Sequence, residues 1–112
     1  MTGRLYPVLA ALWAVVIFIA SSQPGGAIGL PSPWDKLAHL LTYAVLAWLL
    51  RKSGLSLFWA VTLATLYGTS DEWHQRFVPG RQSDLADLLA DASGALLGAL
   101  FATPDNSAPS KR

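Results

Sequence analysis

Two sets of polar residues interrupt an otherwise apolar chain, and both are spaced as helix faces. Asp84, Asp87, Asp91, Gly94 and Gly98 are separated by 3, 4, 3 and 4 positions, which places them along one face of one helix. Asp35, His39 and Tyr43 are four apart and share a face of another helix, with Lys36 beside them. Between these sets the stretch "DEWHQR" contributes Asp71, Glu72, His74, Gln75 and Arg76, and "PGR" adds Arg81. Carboxylates, imidazoles and guanidinium groups at one end of a helix bundle have three chemical uses. They can hydrogen-bond hydroxyls and amides, they can receive anions through Arg forks and helix-end N–H groups, and they can exchange protons in hydrolysis or group transfer.

The acid–base reading makes His39 the acid or base and has Glu72 or Asp87 orient it, with carboxylates able to hold a divalent metal. The binding reading gives anionic parts of a ligand to Lys36, Arg76 and Arg81, and hydroxyls or amides to Glu72, Gln75 and Asp87. Ser83 or Asp84, after "PGRQ", suits a helix N-cap. Pro79 and Gly80 suit the middle of a type II turn that presents Arg81. The chain contains no HExxH, GxSxG or phosphate-loop signature, so no familiar hydrolase or nucleotide chemistry is indicated. It has no cysteine, which excludes disulfides, thiolate catalysis and cysteine metal sites.

Four apolar segments must position these groups: residues 5–20, 37–50, 55–69 and 85–102. Each is apolar on nearly all sides, unlike an amphipathic surface helix. Hydrophobic residues make up 53% of the 112 and charged residues 13%; the latter is about half the ~25% usual in soluble proteins. So small a chain has too few charges to coat its surface, and lipid is the solvent expected for its exterior. The sequence therefore predicts an all-α membrane protein, a bundle of four transmembrane helices spanning about 5–22, 36–51, 55–72 and 84–102. These form one domain over residues 1–102, and 103–112 is expected to be a disordered cytoplasmic tail. Several segments fall short of the ~20 residues that cross a bilayer, so flanking residues or local thinning must complete them. The first segment also has the layout of a signal peptide, with Arg4, an apolar run and then "ASSQPGGA".

Charge sets the orientation. Arg4, Arg51, Lys52, Lys111 and Arg112 fall on one side, and Lys36, Arg76 and Arg81 on the other. The positive-inside rule puts the first group in the cytoplasm, with both termini inside and the polar site facing outward. With a net charge of +1 and no basic run, no nucleic-acid partner is expected. Gly94 and Gly98, four apart in "GALLG", form a small-residue packing surface, through which a homodimer is conceivable.

These residues, in this order, resemble the VanZ-like family. The pieces that carry the resemblance are Asp35, Lys36, His39 and Tyr43; Glu72, Gln75, Phe77, Pro79, Gly80 and Arg81; and Asp84, Asp87, Gly94 and Gly98. They extend over about residues 5–102. The resemblance implies a multi-pass protein of the plasma membrane. The family's namesake is associated with low-level resistance to teicoplanin, a lipoglycopeptide acting at the cell envelope. One departure is Asp91, where the family commonly has asparagine: an amide needs no counter-ion, and a carboxylate in a membrane does.

Two functions follow as expectations. In the first, the outward site binds or modulates a cell-envelope component, an envelope lipid or a glycopeptide, in an antibiotic-resistance type of role. In the alternative, the protein is a membrane-embedded hydrolase or transferase acting on a lipid-linked substrate. A proton- or ion-coupled transporter using Asp87 and Asp91 ranks third, because four helices offer a solute path only as a dimer.

Overall fold

A computed structural model describes residues 2–22, 34–79 and 85–102, with no description of the side chains of Thr2, Gly3 and Asp35. The described residues form four helices and no strand: α1 (Thr2–Ser21), α2 (Trp34–Lys52), α3 (Leu57–Gln75) and α4 (Leu85–Phe101). Their 20, 19, 19 and 17 residues correspond to lengths of about 30, 28, 28 and 26 Å. The expected tail, the 23–33 connection, and the positions Gly80, Arg81, Ser83 and Asp84 lie outside the described residues.

The turn between α2 and α3 shows how the chain reverses. Gly54 adopts φ +111°, which side chains other than glycine rarely tolerate, and the Leu55 N–H bonds back to the Leu50 carbonyl at 3.3 Å, closing the helix end. Ser56 then caps α3, its hydroxyl accepting the Trp59 N–H at 3.2 Å. At its other end α3 runs to Gln75, past the apolar stretch that ends at Thr69 in the sequence reading. It does so because Asp71, Glu72 and Gln75 turn inward and are buried.

Side-chain pairs fix the register. Trp13 Nε1 donates to the Thr42 carbonyl at 2.9 Å and Tyr6 meets Trp48 edge-on, so α1 and α2 are antiparallel. Tyr67 donates to the Ala14 carbonyl at 2.6 Å and His74 stacks on Phe18, which makes α1 and α3 parallel. Lys36 meets Asp87 and His39 meets Asp91; further along, Gly94 packs on Leu40 and Gly98 on Ala44. α2 and α4 are therefore parallel neighbours in an up-down-up-down bundle.

The α2–α4 seam is built on the two glycines. A β-carbon added at Gly94 would lie 2.7 Å from the Leu40 carbonyl carbon, and one at Gly98 would lie 2.6 Å from that of Ala44. Only glycine lets the two backbones approach this closely. Both glycines face α2 of the same chain. Small residues continue the packing, with Ala47, Ala60, Ala64, Ala95 and Ala99 fully buried. Trp13, which falls in the middle of its apolar segment, packs against this core.

The surface is rich in apolar side chains, and polar residues share the interior with the apolar core. Large apolar side chains are exposed on every helix, among them Leu12, Phe58, Leu66, Leu89 and Phe101. Among the described residues, the buried polar ones are Ser21, Asp71, Glu72, Gln75, Asp87 and Asp91. Among the described residues, one helix qualifies by length and composition as a candidate membrane span: α1 over Arg4–Ser21, with mean hydropathy 1.9. α4 is shorter than the 18 residues such a span needs. α2 begins with Asp35, Lys36 and His39 and ends with Arg51 and Lys52, and α3 ends in "SDEWHQ", so polar ends dilute the apolar middles.

Candidate functional site

The helix directions bring the start of α2, the end of α3 and the start of α4 to the same end of the bundle. α3 and α4 each deliver a buried stripe that is polar at that end and small-residued below it. On α3 the stripe reads Ala60, Ala64, Gly68, Asp71, Glu72, Gln75; on α4 it reads Asp87, Asp91, Gly94, Ala95, Gly98, Ala99. The periodicity that makes α4 pack closely on α2 also aims its two acids at α2 and α3.

Asp91 is the deepest member, with 0% exposure. His39 Nδ1 lies 2.8 Å from Asp91 Oδ1, so the imidazole edge and the carboxylate serve as donor and acceptor for each other. The other oxygen, Oδ2, is buried without a hydrogen-bond partner among the described residues. It lies where a side chain on Gly68 would intrude, 2.9 Å from the added β-carbon. Two glycines thus accommodate this residue: Gly94 brings α2 close enough for His39 to reach it, and Gly68 leaves room for its carboxylate. The carboxylate that the sequence left without a counter-ion has His39 as its partner.

One turn nearer the end, Lys36 Nζ is 2.9 Å from Asp87 Oδ1, an ion pair by distance without hydrogen-bond alignment. Glu72 reaches the same space from α3. It is buried, and neither of its carboxylate oxygens has a hydrogen-bond partner among the described residues. Ligand atoms of His39, Glu72 and Asp87 all lie within 4.8 Å of one another. A buried carboxylate without a partner forfeits ~1–3 kcal/mol or more, so Glu72 sits in a position that packing alone does not favour.

The remaining sequence candidates separate into groups. Tyr43 is buried below His39, and its hydroxyl points to Asp71 Oδ2 at 3.4 Å, a long contact. Gln75 is 2% exposed. Arg76 caps α3 and is exposed, and Pro79 is exposed in the following turn. Asp35 lies in the first turn of α2. His74 leaves the cluster: it stacks on Phe18 at 4.9 Å and its Nε2 pairs with the Ser22 hydroxyl at 3.0 Å, tying α3 to α1.

Two contributors were not singled out from sequence as site residues. Asp71 is buried with its Oδ2 3.4 Å from the Tyr43 hydroxyl, and Gly68 makes the room for Asp91. Gly68, Glu72 and Gln75 follow one another by 4 and 3 positions, so the spacing that revealed the α4 stripe was present on α3 as well.

The class these features define is an all-helical bundle that buries acids beside a partly buried histidine at one end and exposes large apolar side chains on every helix. The VanZ/LLP1 family model matches residues 7–104. The chain belongs to the VanZ/LLP1 family. No curated protein and no solved structure matches it.

Proposed function

We propose that this chain crosses the membrane four times, with both termini in the cytoplasm, and that its outward polar end binds the polar head of a cell-envelope component. The observation that carries the reading is the placement of polarity: large apolar side chains are exposed on all four helices while Glu72, Asp87 and Asp91 are buried together. A carboxylate well inside a membrane helix costs ~2.5–3.5 kcal/mol, and ionisable groups held there are functional candidates by default. The five-to-three division of Lys and Arg supports the outward orientation,. Lys36, partly exposed at the mouth, suits the anionic part of a head group, and Glu72 suits a donor. Family membership supports a link to the envelope and to resistance of the teicoplanin type.

Binding is tested with the full-length protein in lipid nanodiscs, offered extracted envelope lipids and, separately, a teicoplanin-type lipoglycopeptide. The reading expects saturable retention of one of these and its loss in Lys36→Ala and Glu72→Gln. Absence of retention for every envelope lipid and for the lipoglycopeptide would remove it.

A second reading is favoured by one specific contact. A histidine fixed at Nδ1 by a buried Asp is oriented as a general acid or base is, and the Glu72 carboxylate stands nearby. The protein would then be a hydrolase or transferase acting on a lipid-linked substrate. Product formation from extracted lipid, compared between wild type and His39→Ala, decides it: equal turnover excludes His39 from the chemistry.

A further inference from the structure

We propose that His39, Glu72 and Asp87 form a binding site for one divalent transition-metal ion, with Asp91 setting the orientation of the histidine. The three residues come from three helices, α2, α3 and α4, and their ligand atoms lie within 4.8 Å of one another. Donors around a single ion at ~2.1 Å stand ~3–4 Å apart, so small side-chain rotations close the set. Asp91 holds the Nδ1 edge of His39 at 2.8 Å, so an ion taken by Nε2 would leave that contact in place. Metal-bound histidines commonly have this arrangement, the far nitrogen bonded to a carboxylate that fixes tautomer and ring angle.

Glu72 is the independent pointer to a ligand. It is 8% exposed, and neither oxygen finds a hydrogen bond among the described residues. As the side chain lies, a protonated Glu72 would make no hydrogen bond among the described residues either. A dication satisfies the oxygens directly, and it offsets the negative charge that Glu72, Asp87 and Asp91 concentrate at this end.

Donor chemistry narrows the ion. One imidazole with two carboxylates suits Zn²⁺ or Mn²⁺, whereas Mg²⁺ and Ca²⁺ prefer all-oxygen shells. Three protein ligands also leave coordination positions open, as in metal sites that take a water or a substrate oxygen. Lys36 stands beside those positions, 2.9 Å from Asp87. The ligand class that fits is an anionic oxygen group, a phosphate or carboxylate. That last step rests on the head-group reading above, while the metal site does not, and the two fail separately because metal binding is measured without any envelope ligand.

The experiment uses the full chain in detergent micelles, stripped with EDTA and then equilibrated singly with Zn²⁺, Mn²⁺, Mg²⁺ or Ca²⁺. Bound metal is counted by mass spectrometry and affinity is measured by calorimetry. The expected result is about one Zn²⁺ or Mn²⁺ per chain, held at least tenfold more tightly than Mg²⁺ or Ca²⁺. Glu72→Gln and His39→Gln should each abolish stoichiometric binding. Asp91→Asn should weaken it ~10–100-fold, and His74→Ala should leave it unchanged. Circular dichroism of the stripped variants checks folding, and the wild-type stoichiometry stands even where a variant misfolds. The proposal is overturned if wild type retains no stoichiometric ion, if only Mg²⁺ or Ca²⁺ binds, or if folded Glu72→Gln binds as wild type does.

Discussion

Replacing Gly94 with alanine probes the contact that sets the whole site. The added methyl would lie 2.7 Å from the Leu40 carbonyl carbon and 2.9 Å from its Cα, against the ~3.5–4.0 Å of an ordinary carbon contact. Its neighbours are backbone atoms, which cannot rotate aside, so α4 must move away from α2 by about 1 Å. Overpacking of this kind costs about 1–3 kcal/mol, and a backbone obstacle argues for the upper end. Alanine regains about 1 kcal/mol over glycine in helix propensity, which leaves a net loss of ~2 kcal/mol, roughly thirtyfold in the folding equilibrium. Gly98→Ala meets Ala44 in the same way. The double variant should lose less than the sum, because one outward shift relieves both clashes. Unfolding is followed by circular dichroism as SDS is titrated into mixed micelles, with the exposed Leu96→Ala as a control that should change stability by less than ~0.5 kcal/mol. Since Leu40 and Gly94 adjoin His39 and Asp91 in sequence and space, the variant should also weaken whatever binds at the site. If Gly94→Ala unfolds with the wild-type protein, the close approach of α2 and α4 is not what holds this end together.

Further substitutions separate the contacts beneath the site. Asp91→Asn keeps an oxygen to accept from His39 Nδ1 and should unfold within about 1 kcal/mol of wild type; Asp91→Leu leaves the partly exposed imidazole without its partner and should cost about 1–3 kcal/mol, both read in the same SDS titration. Gly68→Ala meets the Asp91 side chain rather than backbone, and should destabilise the bundle less than Gly94→Ala does. Tyr67→Phe removes the hydrogen bond to the Ala14 carbonyl and should lower the thermal midpoint by the equivalent of about 1 kcal/mol.

Much of the fold was legible because helix periodicity is a local property. The 3-4-3-4 spacing from Asp84 to Gly98 described one face, and in the structure the part from Asp87 onward lies buried against α2 and α3. The small residues in "GALLG" marked a packing seam, but spacing on one helix cannot name the partner. That partner is α2 of the same chain, through Leu40 and Ala44. The pairing of His39 with Asp91 joins residues 52 positions apart and depends on the parallel register of α2 and α4, which no local pattern contains. His39 and His74 differ for the same reason. Both sit near helix ends in the sequence, yet one meets a buried carboxylate and the other a serine and a phenylalanine on α1. α1 is almost wholly apolar, so its role in holding α3 through Ser22 and the Ala14 carbonyl was silent until the helices were placed.

The central claim, a membrane bundle whose polar end faces outward, can be tested without background because the chain has no cysteine. Single cysteines are placed at Phe77, exposed in the turn after α3 at the polar end, and at Arg4 and Ser53, which lie at the opposite end. Intact cells are treated with a membrane-impermeant maleimide, before and after permeabilisation. The account predicts that Phe77→Cys is labelled in intact cells, and that Arg4→Cys and Ser53→Cys are labelled only after permeabilisation. Labelling of Arg4→Cys or Ser53→Cys in intact cells, with Phe77→Cys protected, would contradict it.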